Sequence, residues 1–452
     1  MNFKNFLISV VLFILAILVV GRNLKKPFIG LHDWNGARYG NIARNYVRYG
    51  FFTTRFAQVE NSGEAVPSDF RYYTHWQPLL PILISVSYRF FGINEWATRL
   101  IPLLATAGAI VTLYFIGRTM FDWRVGVGAS ILALATPMIR YFGKNPVHEP
   151  LALFFALLAF LGASLVIKKK KGGWFLIYLG TTLTFLTNWS GVFLVLALTV
   201  VLFKEIKKVK LLNIWLLGIS LVGLHFLHTL VVTGSAFGGG FLEAALQRTS
   251  MGGTAALTPF GFFEFLDRLR LWSFSLFTVS LLLFSFLGSV LLFRKGRKDT
   301  KKVFLGLLIW GGLYPLSLPN AAFIHNYFIY GLIGFISLSA SFAALSLFKN
   351  RFYTVAFLIL LTAAVWFERG AFLLALENGR VDSLAVEIGK EINNKVPFGE
   401  SVLVKPYEFA ASRLPHLSFY SDKKIVLTAN SGYNWEVEVK NNGSYSLLPR
   451  ER

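Results

Sequence analysis

A succession of apolar runs, each long enough or nearly long enough to cross a bilayer, constrains this chain more than any other feature. The first extends from Phe6 to Val20. Others follow at about 97–117, 126–142, 151–167, 173–187, 190–203, 211–232, 271–293, 303–318, 327–348 and 352–367. A helix needs roughly 17 to 25 apolar residues to span the hydrocarbon layer. Only helices and closed barrels satisfy their own backbone there. Composition agrees: 55% of the 452 residues are hydrophobic and 15% are charged, against about 25% charged in soluble chains. The reading is an all-α polytopic membrane protein of about eleven transmembrane helices. The first run resembles a signal peptide behind Lys4, but Val19-Val20-Gly21-Arg22 lacks the small-residue cleavage pattern, which predicts an uncleaved span.

The net charge of +22 would suggest nucleic acid on a soluble domain. Here the cations cluster between apolar runs: Lys168 to Lys171, Lys204 to Lys210, Arg294 to Lys298, then Lys301 and Lys302. All fall on one side if each run crosses once, and the positive-inside rule makes that side cytoplasmic. Counting back sets the N-terminus inside and puts Asp33, Glu149, Asn188, the loop 233–270 and His325 together outside. The count requires that residues 78–91 do not cross. With Pro78, Pro81 and Arg89 in about fourteen residues, that stretch reads as a re-entrant or interfacial helix. Arg22, Lys25 and Lys26 after the first span favour the opposite orientation, but the later clusters are larger and mutually consistent. The expected protein therefore sits in the plasma membrane, with no nucleic-acid partner.

Two domains are expected. Residues 1–367 form the membrane domain, with an outer loop 22–96 carrying interfacial helices. Residues 368–452 form a small soluble extracytoplasmic α/β domain. There, Val381 to Asn393 has helical periodicity, while Ser401–Val404 and Lys424–Leu427 read as strands.

The chemistry-bearing residues gather at the outer ends of the runs. Asp33 precedes a stretch, 34–50, with a stripe of Tyr39, Ile42, Ala43, Tyr46 and Val47 and an opposite face of Arg38, Asn41, Arg44, Asn45 and Arg48. That pattern predicts an interfacial helix whose cationic face suits phosphate headgroups. Asp is also a favoured N-cap, and capping does not exclude catalysis. His75 stands among aromatics, as a binder of sugar or phosphate or as part of an aromatic belt. Lys144, His148 and Glu149 lie between two spans, and a carboxylate at that depth is costly unless paired or functional. His325 and Tyr327 precede a late span. Gly238-Gly239-Gly240 marks flexibility before a short surface helix over Glu243 to Arg248.

Cysteine is absent, which excludes disulfides, Cys-ligated zinc and thiol catalysis. There is no phosphate-binding glycine loop, HExxH or GxSxG. A transporter or lipid flippase would place ionisable groups and broken helices at mid-membrane, often in repeated halves; neither pattern is visible. A glycan polymerase or ligase of another membrane fold would not need Asp33.

The order of these features resembles the GT-C-fold membrane glycosyltransferases, in the branch of protein O-mannosyltransferases and aminoarabinose lipid A transferases. The resemblance covers roughly residues 5–350. It rests on Asp33 with Ala37-Arg38-Tyr39, Thr74-His75-Trp76-Gln77-Pro78-Leu79, Phe91-Gly92 with Glu95 and Arg99, Glu149, Asn188-Trp189-Ser190-Gly191, and His325-Asn326-Tyr327. Asp-Trp replaces the commoner Asp-Glu, and Glu149 stands where Asp is usual. The resemblance implies transfer of a hexose or pentose from a polyprenyl-phosphate donor to a hydroxyl of a glycan, lipid or protein acceptor, on the outer face. It implies Asp33 as general base and Glu149 as a second catalytic carboxylate. Arg38, Arg71, His75, Lys144, His148, His325 and Tyr327 are the substrate-binding candidates. No cofactor is required, and a divalent cation stays open.

Overall fold

The structure is a computed structural model that describes residues 3–252, 258–348 and 350–450. Residues 253–257 of the expected outer loop, and the last two of the C-terminal domain, lie outside the described residues. In chain order the membrane part contains α1 (Phe3–Val20), α2 (Trp34–Tyr49), the strands β1 (Gln58–Val59) and β2 (Tyr72–Tyr73), α3 (Leu79–Phe91), α4 (Glu95–Met120), α5 (Trp123–Ala135), α6 (Pro137–Phe142) and α7 (Glu149–Ile167). It continues through α8 (Gly173–Phe185), α9 (Ser190–Leu202), α10 (Lys208–Thr233), α11 (Phe241–Thr249), α12 (Phe262–Leu276), α13 (Val279–Lys295) and α14 (Lys298–Ser317). The last members are α15 (Pro319–Ile324), α16 (Ile333–Leu347) after a 3-10 turn, and α17 (Arg351–Glu368). Among the described residues, five segments are long and apolar enough to cross a membrane, or seven if each bent pair is one span. Four further apolar helices, α3, α5, α8 and α9, have 13 residues each, about 20 Å of rise.

Where the expected runs break, local chemistry explains it. The run 126–142 divides at Thr136, which is extended because a proline follows and disfavours helical backbone before it. The Thr136 hydroxyl then caps α6 by accepting from the Ile139 amide. The run 271–293 is not a straight span: α12 and α13 meet at 105°. Thr278 sits in the left-handed region at φ +71 and its hydroxyl accepts from the Leu281 amide. The Glu368 carboxylate accepts from the Val279 and Ser280 amides at 2.7 and 3.1 Å. An acid at a helix N-terminus satisfies donors that the bend exposes.

The helices share two polar ends. At one, Lys168 pairs with Asp299, Lys302 with Glu205 at 2.5 Å, and Arg297 donates to the Met120 carbonyl. At the other end, Arg99 of α4 pairs with Asp33. Helix α4 runs from the second end to the first, and α7 does the same from Glu149 to Lys168. Both ends of α3 lie at the Asp33 end. Its Leu79 amide donates to the Leu186 carbonyl beside the α8–α9 turn, and its C-terminus passes directly into the start of α4.

The C-terminal part comprises α18 (Gly370–Asn378), α19 (Ser383–Lys395), β3 (Ser401–Lys405), α20 (Tyr407–Ser421), β4 (Lys424–Val426), β5 (Trp435–Val439) and β6 (Tyr445–Pro449). The sheet order is β4-β3-β5-β6, with β3 parallel to both neighbours and β6 antiparallel to β5. Ile388, Ile392, Val402, Val404, Ala410, Leu417 and Val437 form its own core.

This domain corrects the expected role of α2. Its cationic face does not meet headgroups; protein covers it. Arg44 donates to the Ser418 and Phe419 carbonyls at 3.3 and 2.8 Å, and Arg44 and Arg48 both reach the Asp422 carboxylate. Asn41 and Asn45 donate to the Asn61 carbonyl. Gly36 and Gly40, one turn apart, admit the Phe28 and Phe419 rings so closely that an added Cβ would lie 2.4 and 2.7 Å from them. The approach of Phe419 to Gly40 docks the domain tightly on α2.

Replacing Arg44 with Ala should cost about 3 kcal/mol, because two carbonyls and a carboxylate lose a buried donor. The expected result is a lower melting temperature in detergent and earlier tryptic cleavage at the exposed Arg380. Unchanged melting and cleavage would show that the domain is held some other way.

Candidate functional site

Five segments converge on a cavity of about 70 Å³ at the Asp33 end. The first turns of α2 supply Trp34, Asn35, Arg38 and Tyr39; the stretch after β1 supplies Tyr73 and Trp76. The α6–α7 turn supplies Val147, His148 and Glu149, α11 supplies Arg248, and the α15–α16 connection supplies His325, Tyr327 and Phe328. Of the residues expected from sequence, Arg38, His148, Glu149, His325 and Tyr327 are thus brought together.

Glu149 is the carboxylate on this wall, 6% exposed. Its carboxyl group is buried with no ion pair among the described residues; its polar neighbours are the Tyr314 hydroxyl and the amides of Glu149 itself and His148. Glu149 and Tyr314 line an adjoining void with Asn188, Ser190 and Trp310. A buried carboxyl group with no cation beside it is costly, and a structure retains one where a ligand completes it. Two cations face the same space. Arg38 pairs with Glu60 at 2.6 Å and lies 4.0 Å from the Tyr73 ring centroid. Arg248 lies 4.7 Å from the Trp76 ring and donates to His75 Nδ1 at 3.3 Å.

The histidines here are neutral. Burial, then Arg248 and Arg38, pull His75 down to about 3. Burial and Arg248 bring His148 to about 3, and burial with His32 and Arg248 brings His325 to about 3. His325 therefore supplies no cation for a phosphate. It offers a ring against Tyr327, stacked at 5.3 Å. His75 reaches the cavity only through its contact with Arg248.

Asp33 lies elsewhere. Helix α2 starts at Trp34, so residues 33 and 35 point about 200° apart. Asn35 faces the cavity and donates to Tyr327 at 3.5 Å. The Asp33 carboxylate instead accepts from the Gly30 amide at 2.9 Å and from Arg99 at 3.2 Å. Its side chain makes no cap bond to α2. It lines a neighbouring void of about 20 Å³ with Lys26, Arg99, Tyr141, Lys144, Asn145 and Glu377. Lys144 is there too, drawn down to about 8 by burial, with its ammonium donating to the Arg22 carbonyl at 2.6 Å. Arg71 is exposed and borders a separate groove of about 670 Å³ between the β1–β2 connection and β4. Asn35, Arg248 and Tyr314 are the residues that sequence reasoning missed, and Arg99 was marked only as part of a family segment. The expected short helix over Glu243 to Arg248 was the available signal for Arg248.

A divalent cation finds little support in the donor set. Among the described residues no three His, Asp or Glu side chains group closely enough to hold a metal ion.

The family of dolichyl-phosphate-mannose-protein mannosyltransferases matches residues 75–233. No curated protein matches the chain by sequence. Among solved structures, the oligosaccharyltransferase AglB from Archaeoglobus fulgidus, in complex with an inhibitory peptide and a dolichol-phosphate, superimposes with TM-score 0.64 at 12% identity. That match covers 99% of this chain and 74% of that one. The ArnT protein from Cupriavidus metallidurans bound to undecaprenyl phosphate gives TM-score 0.63 at 14% identity, covering 92% and 85%. The Archaeoglobus fulgidus oligosaccharyltransferase in complex with Zn and sulfate gives 0.61 at 15% identity; the match covers 92% of this chain but only 62% of that one. The chain has the GT-C fold of membrane glycosyltransferases.

The neutral histidines set a pH dependence. Their folded pKa values lie below the ordinary 6.5, so between pH 6.5 and 5 the unfolded chain binds protons that the folded chain refuses. Stability should fall as pH drops through that window and be complete above it. Melting temperature in detergent against pH is the measurement; His75→Gln should flatten the slope. Titrating ring resonances for His75, His148 and His325 between pH 7 and 5 would contradict the burial argument.

Proposed function

We propose that this chain transfers a sugar from a polyprenyl-phosphate-linked donor to an acceptor hydroxyl, in the cavity lined by Arg38, Glu149 and Arg248. The buried Glu149 carboxyl group, which has no ion pair among the described residues, in a cavity that also holds two guanidinium groups is the observation that carries this reading. The relatives in fold that hold dolichol-phosphate and undecaprenyl phosphate support the class of donor.

The chemistry is an inverting displacement. The acceptor oxygen forms a bond to the anomeric carbon while that carbon's bond to the phosphate oxygen breaks. The phosphate departs with the electron pair, and Glu149 takes the acceptor's proton. Arg38 and Arg248 stabilise the charge that grows on the leaving phosphate, in a site that excludes most water. Asn35, Tyr327 and the neutral His148 and His325 offer hydrogen bonds to sugar hydroxyls. Asp33, first expected as the base, takes a positioning role: with Arg99 it fixes the turn from which α2 begins, and so the direction of Asn35 and Arg38.

The face follows from charge. The cavity lies opposite the end where Lys168, Lys302 and Arg297 gather. Under the positive-inside rule the reaction and the C-terminal domain are extracytoplasmic, in the plasma membrane. Glycan, lipid and protein acceptors all suit an open hydroxyl nucleophile.

Glu149→Gln should lower transfer by about 10³-fold while undecaprenyl phosphate still binds. Arg248→Ala should weaken that binding by about tenfold or more, since a charge-assisted hydrogen bond is lost. Asp33→Asn should reduce transfer less than Glu149→Gln and lower the melting temperature. Transfer in membrane vesicles, with polyprenyl-phosphate mannose, glucose and aminoarabinose as donors, is the assay. Full activity of Glu149→Gln with a dead but stably folded Asp33→Asn would return the base to Asp33.

A further inference from the structure

An apolar groove of about 460 Å³ runs between α5 and α17, on the flank of the membrane part. Val127, Ile131, Leu358, Ile359, Thr362 and Ala363 form its wall. Trp123 and Arg124 close one end, and Trp366 and Phe367 the other. The two ends differ in charge. Arg124 is neutralised by Asp122 at 2.8 Å. At the opposite end Arg140 stands 3.7 Å from the Trp366 ring centroid and donates to the Trp366 carbonyl at 3.1 Å; it has no ion pair among the described residues. Arg140 lies one helical turn before Lys144, and both feel the charges of Arg22 and Glu377. With Lys26 and Arg99, five cations surround two carboxylates, Asp33 and Glu377. Inside this cluster, Arg99 Nε is a buried donor without an acceptor among the described residues, and the Asn145 amide lies beside Tyr141.

We propose that this groove and the basic cluster above it form a second binding site for polyprenyl phosphate, distinct from the catalytic cavity. The isoprenoid tail lies between α5 and α17, and the phosphate meets Arg140 and its neighbours. Surplus positive charge at one end of an apolar trough matches an anion on a hydrocarbon tail. The open Nε donor of Arg99 gives that anion a hydrogen bond which two local carboxylates leave unfilled. Continuity favours an isoprenoid phosphate over bulk phospholipid. The cluster's void is walled by Asp33, two residues from Asn35 on the catalytic cavity, so the site is placed to hold incoming donor or departing carrier beside the reaction. The class of lipid rests on the proposed transfer reaction; the site itself does not.

The test is the stoichiometry of undecaprenyl phosphate on the purified full chain, read by native mass spectrometry. Wild-type protein should hold two copies. The pair Arg38→Ala and Arg248→Ala should remove one, and the pair Ala363→Trp and Arg140→Gln should weaken the other at least tenfold. As a control on folding, Ala363→Cys can be alkylated after purification with a bulky maleimide, since the chain has no other cysteine; this should remove the same copy. If the first pair removes nothing while the groove variants do, the catalytic-cavity reading fails and this site stands. A single copy in wild type, insensitive to filling the groove, overturns the proposal. So does displacement of the groove copy by dioleoylphosphatidylglycerol at equal concentration.

Discussion

Helix α2 can lie where it does only because protein takes up the charged groups and amide donors of its polar face. Hydrocarbon offers no hydrogen bonds, and water is excluded at that depth of packing. Glu60 takes Arg38, the carbonyls of Val59 and Asn61 take the asparagines, and Ser418, Phe419 and Asp422 take Arg44 and Arg48. Fixing α2 fixes the direction of its first turn, and that turn forms one wall of the cavity. The C-terminal domain is therefore a structural part of the site, although its sheet lies outside it.

Charge is arranged there with economy. The cavity contains two guanidinium groups and one carboxylate, and its histidines are held uncharged by burial. A leaving phosphate would meet strong fixed dipoles and cations, while sugar hydroxyls would meet neutral donors and acceptors. A second patch of cations lies around Asp33, in the neighbouring void.

The membrane architecture was legible from sequence because apolar length and basic loops report on solvent, which acts on every residue alike. The ends of α4, α7 and α10 fall close to the expected limits. The bend at Thr278 was not legible, since Glu368, which caps it, is some ninety positions away. In the site, Glu149 and His325 were found because polar residues at the ends of apolar runs stand out. Asp33 drew attention as a carboxylate, yet the facing side chain is the amide two residues on; which of them faces inward depends on where α2 begins. Arg248 could not be placed, because its contacts with His75 and Trp76 close across more than 170 residues. The docking of α20 on α2 is equally remote in sequence.

The segment that carries Arg248 is a connection between spans, seated on aromatic side chains: Phe241 meets Trp189 and Phe226, Phe260 stacks on Phe323 at 4.1 Å, and Thr74 donates to the Gly238 carbonyl. One of the two cations thus stands on a connection, while the other stands on the first turn of α2. A sequence change that re-aims α11 alters the attraction for an anion and leaves the α2 wall intact. For a carrier that must leave after each turnover, residence time can be tuned from the connection alone.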